Sequence, residues 1–282
     1  MKFSDINIRD PFVLKTGGKY YLYGTRGETA WTSAEGLDVY VSDDLENWSE
    51  PHECFTVTED FWANKEVWAP EVHEYKGRFY MFVSFRSDTK LRATQILRAE
   101  TPMGPFLPFT DGPITPEGWQ CLDGTFYVDP DGKPYIVFCR EWVQVTDGEI
   151  HAMPLTDDLS AAAGEPIKLF SASMPEWADK SRDMFVTDGP FMYTTKEGNL
   201  LMIWSTFTPS GYVQAVSYSD NGRIDGKWIH PKPLFDKDGG HGMIFDDLNG
   251  QKYLILHSPN ENPLERPVLI KIQEENGTLV LG

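Results

Sequence analysis

Four short segments of the chain set a carboxylate beside a Gly or Pro at the start of an alternating apolar stretch: Asp10 in RDPF, Glu71 in WAPEV, Asp123 in LDGTF and Asp188 in TDGPF. A fifth, GGHGMIF, sets His241 in the corresponding place. Taken singly, an Asp before Gly or Pro is ordinary turn chemistry. Gathered at one point, several carboxylates repel, so one stays ionised while another keeps its proton, which is what acid and base work at neutral pH requires. A glycosidic bond suits such a pair: in the inverting geometry a carboxylate activates water while an opposed carboxylic acid, roughly 6.5–9.5 Å away, protonates the leaving oxygen. TDGP occurs at 110–113 and again at 187–190, and only the second directly precedes a strand hairpin. Asp111 is therefore assigned to a turn and Asp188 to the site.

The elements that would gather these residues repeat along the chain. A Gly turn followed by an alternating aromatic or aliphatic strand occurs as GGKYYLYGT, KGRFYMFVSF, DGKPYIVFC, EGNLLMIWSTF and NGQKYLILHSP. Their turn glycines, Gly18, Gly77, Gly132, Gly198 and Gly250, are separated by 59, 55, 66 and 52 residues. Each interval holds a hairpin and two further strand-like stretches, so the pattern predicts four-stranded antiparallel sheets. Radial repetition of such sheets protects their edges, and five of them use the whole length. The reading is an all-β chain, a single five-bladed β-propeller over residues 1–282, with blades around a central channel. A linear β-solenoid would use much shorter repeats. In a propeller the innermost strand of each blade lines the channel, which is where the five segments fall.

Composition narrows the partner. Aromatics at 13% and 24 Gly with 20 Pro fit many short strands and tight turns. A formal net charge of −18 argues against nucleic acid, anionic lipid or acidic polysaccharide, and a neutral ligand fits better. Cys54, Cys121 and Cys139 lack metal-ligand spacing and read as reduced structural thiols. No apolar run approaches the ~20 residues of a membrane span, and the first residues lack the regions of a signal peptide. The chain reads as cytoplasmic, or as secreted or periplasmic if a leader has been removed; the oligomeric state is left open.

The ordered set RDPF, WAPEVHEYKGRFYMFVS, LDGTFYVDPDGKPYIVF, TDGPFMYTTKEG and GHGMIF resembles glycoside hydrolase family 43 over nearly the whole chain. That resemblance implies a five-bladed propeller acting by inversion on arabinose- or xylose-containing carbohydrates, as an α-L-arabinofuranosidase or β-xylosidase. It implies Asp10 as general base, Asp123 as the residue that tunes and orients the acid, and Asp188 as general acid in a motif that usually reads Glu-Gly-Pro. Asp is shorter than Glu by one methylene, roughly 1.5 Å of reach, and a misplacement of about 1 Å can cost on the order of 100-fold in rate. Glu141 in CREW and Glu71 in WAPE are therefore alternative acids, and a non-catalytic carbohydrate-binding propeller is the alternative function. A phosphorylase or a protein-interaction platform fits the residues less well.

The resemblance also implies that His241 stands where many arabinan-cleaving members hold a hydrated calcium ion on the axis. No cofactor is required by the chemistry, and a lone His is a poor ligand for an ion that prefers six to eight oxygens; a hydrogen-bonded core histidine is the other reading. Trp68, Trp142 and Trp31 are candidate sugar platforms, Trp68 foremost, because aromatic rings cover the C–H faces of sugars. Arg9 and Arg140 flank proposed axial acids. Trp48 and Trp228 read as packing between blades.

Overall fold

A computed structural model describes residues 1–282. Apart from two single-turn helical segments the elements are strands, paired antiparallel in chain order into five four-stranded sheets. The first strands of the sheets are Ile8–Thr16, Lys65–Tyr75, Cys121–Val128, Asp188–Thr194 and Gly240–Asp246. Each packs against the first strand of the next sheet, and the fifth packs against the first, so the blades close a ring around a channel. The predicted five-bladed propeller is the fold observed.

Between blades lies the core. Phe170 of the third blade meets Trp204 of the fourth at 5.1 Å, and Trp48 and Trp228 are buried as expected. Each such side chain taken fully out of water contributes roughly 1.5–3 kcal/mol. The three cysteines are free and buried, and burial pushes their thiols up. No helix is long and apolar enough to cross a membrane.

The first strand of every blade carries the same irregularity. Pairing with the second strand slips between Arg9 and Phe12, Trp68 and Glu71, Asp188 and Phe191, and Gly240 and Met243, and at the matching place opposite Val137 and Cys139. In each slip one residue has a positive φ: Asp10 (53°), Ala69 (49°), Asp123 (56°), Gly189 (50°) and His241 (49°). A bulge re-aims a side chain out of the sheet pleat, here toward the axis. The equivalence therefore differs from the one expected: Ala69 and Gly189, not Glu71 and Asp188, occupy the axial positions of the second and fourth blades. The aligned feature is the residue before Pro or Gly, in Asp10-Pro11, Ala69-Pro70, Asp123-Gly124, Gly189-Pro190 and His241-Gly242. At 189 the residue must be Gly, since a Cβ there would lie 2.5 Å from the His241 ring.

Four of the five bulges are held by a side chain from the second strand of the preceding blade. The N–H of Ala69 donates to Thr25 Oγ1 (2.8 Å), that of Asp123 to Ser84 Oγ (2.8 Å), that of His241 to Ser205 Oγ (2.7 Å) and that of Asp10 to His257 Nδ1 (3.2 Å). The equivalent residue in the third blade is Cys139, and the Gly189 N–H donates instead to Asp123 Oδ2 at 3.0 Å. These bonds satisfy backbone donors that the slipped register leaves without a ladder partner.

Candidate active site

Asp10, Asp123, Asp188, Glu141 and His241 line one cavity of about 650 Å³ at one mouth of the channel, within the range of small-molecule sites. Trp31, Trp68 and Trp142 line it too, with Arg9, Glu66, Arg92, Phe207, Tyr212 and Asn260. Glu71 does not. It lies two residues beyond the second bulge, where the strand has carried it toward the opposite mouth, and its Oε2 pairs with His73 Nε2 at 3.0 Å. Arg140 does not reach the cavity either: it alternates outward, stacks on Trp119 at 4.1 Å and faces Glu149 across the sheet.

Asp10 is held on both oxygens. Thr25 donates its hydroxyl to Oδ2 at 2.6 Å, and His241 Nδ1 lies 3.1 Å from Oδ1. Burial works against the charge of Asp10, but the His241 and Arg9 cations outweigh it and hold this carboxyl far below the usual range. Burial likewise opposes a charge on His241, yet Asp10 and Asp123, the latter 3.7 Å away, push the imidazole up to about 10. The second axial histidine behaves oppositely. Burial drops His257 to about 3, so it is neutral, with Nδ1 accepting the Asp10 N–H and Nε2 facing Asn260 Oδ1 at 3.2 Å. Arg9 completes this side through Glu265 (2.6 Å) and Asn260 (2.8 Å).

The remaining carboxyls are pushed the other way. Asp123 is raised by burial and by repulsion from Asp188 and Asp10, against the pull of His241. Asp188 is raised by burial, with repulsion from Asp10 added and His241 and the Tyr212 hydroxyl opposing. Glu141 is also raised by burial, although Arg92 pairs with its Oε1. The same guanidinium reaches Glu66 Oε2 at 2.5 Å and covers a face of Trp68 at 4.1 Å. That leaves Trp31, 56% exposed at the rim and edge-on to Trp68 at 4.9 Å, as the more open platform.

No three His, Cys, Asp or Glu side chains are grouped to hold a metal ion. His241 has its Nδ1 turned to Asp10, which leaves Nε2 as the one nitrogen it could offer. The axial residues offer no set of direct protein ligands, so an ion on the axis would be held chiefly by water, with His241 as its nearest side chain. What they build is one carboxyl held down by cations beside others raised by burial, within one cavity.

Glu66, Arg92 and Tyr212 carried no repeat signal. Glu66 precedes the second bulge, Arg92 ends a connecting loop and Tyr212 begins a third strand, so only closure of the ring brings them together. Their one local sign is charge or a hydroxyl set against an apolar strand.

A family model described as Glycosyl hydrolases family 43 matches residues 4–278. The crystal structure of endo-arabinase from Bacteroides thetaiotaomicron VPI-5482 superposes with a TM-score of 0.90 at 38% identity, covering 99% of this chain and 98% of that one. The extracellular exo-alpha-(1->5)-L-arabinofuranosidase ArbA of Cellvibrio japonicus is 25% identical over 56% of this chain and 46% of its own length. A xylosidase/arabinosidase of Butyrivibrio fibrisolvens is 26% identical over 88% of this chain and 48% of its own. The chain thus spans about half the length of these curated relatives.

Proposed function

Because the chain belongs to glycosyl hydrolases family 43, we propose that it hydrolyses a glycosidic bond of an arabinose- or xylose-containing carbohydrate with inversion, an α-L-arabinofuranosyl linkage first among them. The single observation that carries this reading is one cavity holding an Asp10 whose pKa His241 holds far down and an Asp188 whose pKa burial raises. Asp10 takes a proton from the attacking water. Asp188 gives one to the leaving oxygen, and Asp123, bonded to the Gly189 N–H beside it, sets the position and charge of that acid. Glu141 is the weaker candidate for the acid because Arg92 already engages it. The likeness to an endo-arabinase and an exo-arabinofuranosidase supports the choice of sugar.

A panel of aryl glycosides and linear arabino-oligosaccharides tests the reading, with the product anomer followed by proton NMR. The expected result is turnover of the α-L-arabinofuranosides with an inverted first-formed anomer; a retained anomer, or turnover confined to other sugars, overturns it. The shorter Asp188 supports one second reading, a carbohydrate-binding propeller, which would bind arabino-oligosaccharides saturably without cleaving them.

The opposed shifts of the two carboxyls also give a pH dependence. Activity requires Asp10 charged and the acid protonated, so kcat/KM rises on the acid side as Asp10 ionises and falls on the alkaline side as the acid loses its proton. With Asp10 depressed and Asp188 raised, the plateau extends to both sides of the ordinary carboxylate pKa of about 4. A profile measured from pH 3 to 10 that declines from pH 4 upward would contradict this.

A further inference from the structure

The acid of this site is one methylene shorter than the family motif provides, and a tyrosine meets it. Tyr212 donates its hydroxyl to Asp188 Oδ2 at 3.0 Å. The tyrosine opens the third strand of the fourth blade, Gly211–Ser219, and is only 2% exposed. Its ring is fixed on both sides, stacked on His257 (5.8 Å, 19°) and tilted against Phe207 (5.1 Å). A short side chain with two freely rotating oxygens is thereby pinned by one of them.

We propose that Tyr212 is the positioning residue of the general acid, holding Asp188 by Oδ2 so that Oδ1 carries the proton toward the leaving oxygen. The proposal rests on the hydrolase reading above and deepens it. In the step, the Oδ1 proton passes to the glycosidic oxygen as its bond to the anomeric carbon breaks and takes the electron pair. Water forms the new bond to that carbon and releases its proton to Asp10. Asp188 is left as a carboxylate, and a donor already aimed at Oδ2 bonds more strongly to that charge than to the neutral acid. Burial also keeps the phenol itself protonated, with the Asp188 charge adding to the effect.

Tyr212→Phe retains the ring and its stacking and removes only the hydroxyl. The test compares this variant with Asp188→Asn and the parent on aryl α-L-arabinofuranosides whose leaving groups run from phenol to 2,4-dinitrophenol. Protonation matters most for the poorest leaving group. Tyr212→Phe is expected to lower kcat about 10- to 100-fold on the phenyl substrate, with KM nearly unchanged, and to leave the dinitrophenyl substrate almost unaffected. Asp188→Asn should show the same pattern more steeply.

An equal loss on every leaving group, or none, while Asp188→Asn shows the steep pattern, overturns the role of Tyr212 and leaves Asp188 as the acid. Parent-like activity of Asp188→Asn removes Asp188 from that role, and the Tyr212 proposal with it. Absence of turnover by the parent chain on every aryl glycoside and arabino-oligosaccharide defeats the hydrolase reading itself.

Discussion

Asp10→Asn is expected to lower kcat on the best substrate by about 10²- to 10⁴-fold, the range of a lost general base. The substitution keeps the size of the side chain and its capacity to accept the Thr25 hydroxyl through the amide oxygen. What it removes is the negative charge proposed to receive the proton of water, which faces His241 Nδ1 at 3.1 Å. The folded state should survive, because Arg9 still pairs with Glu265 and Asp123 remains beside His241. Steady-state rates and a thermal melt of the same preparation separate the two effects. A cooperative melt with parent-like turnover would remove Asp10 from the mechanism; a large loss of melting temperature would show the residue to be chiefly structural.

The second large effect falls on stability. Arg92→Ala strips the cation shared by Glu141 and Glu66; Glu66 keeps Arg86 at 3.3 Å, while the buried Glu141 is left with no cation. Breaking a buried ion pair from one side costs about 3–5 kcal/mol, since the abandoned charge has lost its water and gains nothing in return. With roughly 2–4 °C of melting temperature per kcal/mol, the expected loss is on the order of 6–20 °C. The sign of its pH dependence follows from linkage. Once Arg92 is gone, Glu141, already raised by burial, loses the cation that opposed the shift, so the variant is least stable at high pH and recovers as acid protonates this carboxyl. Calorimetry at pH 8 and pH 5 should therefore show a smaller deficit at pH 5, and an equal deficit at both would point to lost packing on Trp68. Lys19→Ala, which removes an exposed pair with Asp43, should shift the melt by no more than the ~1 kcal/mol of a surface bridge.

The propeller was legible because strand periodicity and turn chemistry are local and were repeated five times. Which carboxylates point at the axis was less so. Side chains alternate along a strand, and the bulge resets that alternation at one residue that composition does not mark. Asp10 and Asp123 fall on that residue, Asp188 one before it and Glu71 two after, which sends Glu71 to the far mouth. Arg140 reads as a neighbour of the site but sits one position past Cys139 and so faces outward to Glu149. Arg92 and Tyr212 were illegible for another reason. Their partners are 49 and 24 residues away in sequence, that of Arg92 on the next blade and that of Tyr212 on the first strand of its own blade, and no local pattern encodes either contact.

The two ends of the chain meet between the fifth blade and the first, and no strand is shared across that joint. What fastens it is the Tyr20–Phe245 contact, the bonds from Asn7 to the carbonyls of Pro263 and Glu265, Lys15 to the Asp247 carbonyl, Arg9 to Glu265 and Asn260, and the Asp10 N–H to His257. Two residues of that clasp, Arg9 and Asp10, also line the cavity proposed as the active site. A chain that loosened at this seam would lose one wall of that cavity with it, while the blades kept their own sheets.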